Sequence, residues 1–119
     1  MIMMNKAPQF LCKSTERPDL ETSFLDGSSR NSVILLSSAI GIGTYNPGWR
    51  WSLHAGAITG KTSERHIGFI ISGEMMVRDS SGNESLVHAG EAFEVAENHD
   101  AWVVGDEPCV ALDFTQLPH

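Results

Sequence analysis

Apolar and polar residues alternate along this chain in short runs, and no window sustains the 3.6-residue period of an amphipathic helix. Glu21-Thr22-Ser23-Phe24-Leu25 reads as a short strand closed by the turn residues Asp26-Gly27-Ser28-Ser29. Val33-Ile34-Leu35-Leu36 is an apolar run of strand length, and Ile40-Gly41-Ile42-Gly43-Thr44-Tyr45 alternates with period two until Asn46-Pro47-Gly48 breaks it. Trp49-Arg50-Trp51-Ser52-Leu53-His54 alternates as well. A strand there puts Trp49, Trp51 and Leu53 on one face and Arg50, Ser52 and His54 on the other. After the polar loop Gly60-Lys61-Thr62-Ser63-Glu64-Arg65, the runs His66 to Ile71 and Glu74 to Arg78 flank Ser72-Gly73 as a hairpin. Strands at 85–87, 92–95, 101–104 and 110–114 complete a series of eight to ten. Turn signals recur about every ten residues, the spacing of a sandwich or barrel.

With 119 residues and 41% hydrophobic content, the chain suffices for one core and leaves no room for a second domain. Residues 1–18, with Pro8 and Pro18, read as a lead-in arm able to pair along an edge or with a second subunit. A formal charge of −7 opposes capture of nucleic acid or an anionic membrane. No apolar stretch approaches the length of a spanning helix, and Met1-Ile2-Met3-Met4 is too short for a signal sequence, so the expected location is cytoplasmic. Cys12 and Cys109 form no paired motif, and both are expected to be reduced packing residues. No nucleophile elbow, phosphate loop or dinucleotide fingerprint is present.

The run His66-Ile67-Gly68-Phe69-Ile70-Ile71-Ser72-Gly73 resembles the end of the first cupin motif, with His66 where that motif has a metal-binding Glu. Gly48 and His54 match its first half, while Gly56 stands where a second His belongs. Residues 90–105 fit the second motif in length, but Ala96, Asn98, Ala101 and Gly105 replace its Pro, Gly, His and Asn, and His99 lies two residues before the expected ligand. The stretch 48–114 is similar to small bacterial single-domain cupins of the germin and RmlC-like kind. The resemblance implies an all-β fold, a single cupin-type double-stranded β-helix or jelly-roll barrel.

It also implies a site inside the barrel, where alternate residues of different strands converge. His54, His66 and His99 are the candidate ligands of a divalent transition metal; imidazoles suit Zn, Ni, Cu or Fe better than Mg or Ca. Arg50, Trp51, Phe69, Met75 and Trp102 are the candidate ligand-binding residues: Arg50 for an anionic group, the others as an apolar wall. Bland readings stand beside these. His66 could cap its strand, His54 could be a hydrogen-bonded histidine at the barrel mouth, and His99, among Glu94, Glu97 and Asp100, could be a carboxylate-paired loop histidine. His88 and His119 are expected to be exposed. Three functions remain open: a metal-dependent enzyme, a metal-free small-molecule-binding or sensor domain, and a structural module. A homodimer is expected under each.

Overall fold

The computed structural model describes residues 9–60 and 62–117. Residues 1–8 of the expected arm, Lys61 of the polar loop and His119 lie outside the described residues. The strands are β1 (Leu20–Ser23), β2 (Ser29–Ile34), β3 (Ser38–Tyr45), β4 (His66–Ser72), β5 (Glu74–Arg78), β6 (Glu84–His88), β7 (Ala92–Val95), β8 (Asp100–Val104) and β9 (Cys109–Gln116); the first two depart from the expected bounds, since Phe24 and Leu25 fall after β1, and β2 begins at Ser29 and ends before Leu35 and Leu36. All pairings are antiparallel. One sheet has the order β1-β2-β3-β9-β4-β7 and the other β6-β5-β8. Among the described residues no helix is long and apolar enough to cross a membrane.

The period-two alternation decides which side chains enter the space between the sheets. On β4, His66, Gly68 and Ile70 point inward while Ile67, Phe69 and Ile71 point out. On β5, Met75 and Val77 point inward and Glu74, Met76 and Arg78 out. Tyr45, Trp49, Ile70, Met75, Val103 and Cys109 lead the buried core, with Phe24, Trp51 and Phe93 packed against it. Gly73 turns β4 into β5 at a φ of 78°, and a Cβ there would run into the Pro108 carbonyl, so this hairpin requires glycine.

The expected strand over Trp49–His54 does not form. Trp49 and Arg50 lie briefly beside β8, where the Val103 N–H donates to the Trp49 carbonyl (3.0 Å) and Arg50 bridges to Trp102. The chain then coils into a π-helical turn, Ser52–Gly56, followed by one α turn, Ala57–Thr59, closed by Gly60 in the left-handed conformation. Asp100, the first residue of β8, imposes this. Its carboxylate accepts from the Ser52 N–H (3.0 Å), the Ser52 hydroxyl (2.8 Å) and the Arg50 Nε–H (2.9 Å), which takes up a free donor at the start of the turn. Leu53, expected beside Trp49 and Trp51, is consequently 63% exposed.

Of the two cysteines, Cys109 is fully buried as expected, but Cys12 is exposed. The chain around Cys12 leaves the barrel, so no core is there to receive it.

Candidate functional site

A cavity of about 650 Å³ opens between the sheets. Phe24, Tyr45, Trp49, Trp51, Met75 and Phe93 give it an apolar wall, and His54, His66, His99, Arg30 and Asp113 supply the polar groups. Such a volume, mostly apolar with a few convergent polar groups, is the usual form of a small-molecule site.

His66 and His99 are brought together, their ring centroids 4.9 Å apart. His66 Nδ1 lies 3.2 Å from the Glu64 carbonyl and His99 Nδ1 2.8 Å from that of Ala96. A carbonyl oxygen can only accept, so Nδ1 carries the proton in both rings and leaves Nε2 as the lone-pair nitrogen of the neutral form. Burial holds the His99 pKa below the ordinary imidazole value, and the neighbouring His66 lowers it further against the opposing Ala96 and Asp100 contributions. His99 is therefore a neutral acceptor at pH 7. Its backbone is fixed by Ser63, whose hydroxyl accepts from the His99 N–H (2.7 Å) and donates to the His99 carbonyl (2.6 Å). Asn98, at a φ of 64°, swings the chain so that His99 enters the cavity before β8 begins.

Opposite charges meet on the floor of the large sheet. Arg30 of β2 donates through Nε and a terminal nitrogen to both Asp113 oxygens of β9, at 2.8 and 2.5 Å. This fork-on-fork bond raises the Arg30 pKa still further. Asp113 is paired with Gly41 on one side and Gly68 on the other. A Cβ at Gly41 would strike the Arg30 guanidinium, and one at Gly68 would strike the Phe93 ring. The two glycines thus make the hollow in which the ion pair and the Phe93 ring lie.

Of the residues singled out in the sequence, Trp51, Met75, His54, His66 and His99 line the cavity, and three others do not. Phe69 falls on the outward register of β4, and Trp102 of β8 pairs with outward Met76 of β5. Arg50 leaves the interior because the helical turn aims it at Asp100, with its guanidinium stacked 4.1 Å over the Trp102 ring on the outer side of the small sheet. Arg30, Asp113 and Ser63 were missed. Arg30 and Asp113 are 83 positions apart, and only the β2-β3-β9 order joins them. The inward glycines Gly41 and Gly43 were the one available signal of groups leaning across β3.

The three candidate histidines do not assemble a metal site. Among the described residues no three His, Cys, Asp or Glu side chains gather as a metal-ligand group. His54 rides on the helical turn, where its Nδ1 lies 2.9 Å from the Arg50 N–H, while His66 and His99 form a pair of their own. The donor set does not fit the metal that the motif resemblance implies. Cys109 is fully buried, and burial pushes its thiol up to about 11.

No family model and no curated protein matches the sequence. Solved structures do match in shape. An RmlC-like cupin from Shewanella frigidimarina superposes with a TM-score of 0.65 at 15% identity, over 98% of this chain and 96% of that one. The fold is that of a cupin. Two further neighbours are a cupin-superfamily sugar phosphate isomerase from Silicibacter pomeroyi (TM-score 0.63, 12% identity, 83% of this chain and 71% of that chain) and KdgF from a Halomonas species (0.61, 16%, 82% and 86%). At these identities the likeness establishes the cupin fold.

Proposed function

We propose that this cupin binds a small hydroxylated organic molecule in the cavity between its sheets, without a metal ion. The observation that carries the reading is the pairing of an aromatic wall with two imidazoles whose Nδ1 protons are tied to backbone carbonyls. Aromatic faces take the C–H face of a compact ring, and the two Nε2 lone pairs accept from its hydroxyl groups. Arg30 spends two of its five N–H groups on Asp113 and offers the rest to a ligand oxygen. A hydroxylated ligand is also in keeping with one structural neighbour, the sugar phosphate isomerase.

The test is isothermal calorimetry with glucose, glucuronate, glucose 6-phosphate and myo-inositol. At least one should bind saturably. The same compound should fail to bind the Ala101→Leu variant, in which a larger side chain enters the cavity from β8. Binding that survives this change unaltered, or no binding by any of the four, contradicts the reading.

A further inference from the structure

The charges that line the cavity restrict what it can hold. Among the described residues of its wall, Arg30 is the single lysine or arginine, and it stands against two carboxylates, Asp113 and Glu64. Arg50, the cation expected to meet an anionic ligand group, is turned away to Asp100. One arginine against two carboxylates leaves the wall on the negative side wherever imidazole is neutral. Arg30 is also compensated at contact distance, its Nε donating to one Asp113 oxygen at 2.8 Å and a terminal nitrogen to the other. An incoming anion therefore meets the Asp113 carboxylate as closely as the guanidinium, and it must shed its hydration to do so.

The same pair suits hydroxyl groups. Two of the five guanidinium N–H groups are used and each carboxylate oxygen keeps a second lone pair, so spare donors and spare acceptors lie side by side. A hydroxyl both donates and accepts. Two hydroxyls on neighbouring carbons can engage the pair together, one donating to Asp113 and the other accepting from Arg30, without opening the ion pair. The pair is within reach of a ligand, the Arg30 side chain being 28% exposed and that of Asp113 18%. The guanidinium lies across Gly41 on one side of Asp113, and the Phe93 ring lies over Gly68 on the other, where it can take the C–H face of a ring. Thr22, paired with Arg30 across β1 and β2, and Thr115, two positions beyond Asp113 on β9, add hydroxyls to the lining.

We infer, building on the reading of the cavity as a site for a hydroxylated molecule, that its ligand is uncharged and presents a vicinal diol to the Arg30–Asp113 pair. Neutral sugars and cyclitols meet this description. Sugar acids and sugar phosphates do not, because their charge finds a compensated arginine and two carboxylates.

The experiment is calorimetry of the full chain at pH 8, where imidazole is neutral, with glucose, myo-inositol, glucuronate and glucose 6-phosphate. Glucose or myo-inositol should bind at least about tenfold more tightly than either anion. Cyclohexane-1,2-diol should compete with the bound neutral compound, and cyclohexane-1,4-diol at the same concentration should not. Asp113→Asn, which removes the compensating charge and keeps the size, should weaken the neutral compound at least about tenfold and strengthen glucuronate. Should that variant lose the wild-type far-UV circular dichroism spectrum, the wild-type order and the diol competition decide alone. An anion bound as tightly as the neutral compounds, equal competition by the two diols, or a folded Asp113→Asn variant with the wild-type order overturns this inference. If Ala101→Leu still abolishes binding in those cases, the cavity reading stands without it, whereas no binding by any compound overturns both.

Discussion

Replacing Asp100 by Ala should release the helical turn that carries Trp51 and His54 to the cavity. The carboxylate holds Ser52 through its N–H and its hydroxyl, and Arg50 through Nε. Its pKa responds to the same contacts: burial raises it, but the bonds from Ser52 and Arg50 outweigh burial and leave it below the usual carboxylate value. The Arg50 side chain is 37% exposed against 21% for Asp100, so the ion pair itself should contribute less than about 1 kcal/mol. The two Ser52 bonds to a charged acceptor supply the larger share, for a total of about 2–3 kcal/mol. In a domain of this size that lowers Tm by about 10 °C.

The assay is thermal unfolding by circular dichroism at pH 7, with tryptophan emission as a second signal. Asp100→Ala should lower Tm and red-shift the emission as Trp51 leaves the core. Arg50→Met should lose less than half as much. The sign of the pH effect follows from the lowered pKa: the contribution is complete above the unfolded carboxylate value and vanishes as pH falls through the folded one. A Tm for Asp100→Ala within about 2 °C of wild type, or an Arg50→Met loss equal to that of Asp100→Ala, would refute this account of the turn.

Other perturbations address the remaining parts. Because the folded pKa of His99 lies below its unfolded value, stability should decline as pH falls from about 6.5 toward the folded value, and His99→Asn should flatten that slope in urea titrations at several pH values. Gly68→Ala drives a methyl group into the Phe93 ring and should cost about 1–3 kcal/mol by the same titration, with weaker ligand binding. A thiol reagent should label Cys12 within minutes and leave Cys109 untouched until the protein is unfolded, as mass spectrometry will record. Elemental analysis of untagged protein should find well under one equivalent of transition metal, and His66→Ala should not change that figure.

The strands were readable because each is a period-two pattern bounded by turn residues, and a side chain's face follows from counting. The same counting put His66, His99 and Met75 on the cavity. It failed at Trp49–His54, where alternation mimics a strand; the deciding contact comes from Asp100, about fifty positions away, and no local pattern records it. Arg50 was misassigned for that reason. Phe69 and Trp102 failed differently: each stands an odd number of positions from an inward residue of its own strand, His66 and Ala101, so the same counting puts both outside, and their aromatic character had outweighed it. The Arg30–Asp113 pair was invisible because it depends on strand order. Cavity, ion pair and histidine pair all arise where distant segments meet, which is why the fold was legible and most of the site was not.

The most direct test of ligand binding in the cavity is a fluorescence titration of the Trp102→Phe variant. This change removes the indole outside the cavity and leaves Trp49 and Trp51, both in its wall, as the emitters. Saturable quenching or a spectral shift by a compound that calorimetry finds to bind, with the same dissociation constant, is the predicted result. A compound that binds by calorimetry yet leaves Trp49 and Trp51 emission unchanged would place the site elsewhere and contradict the account.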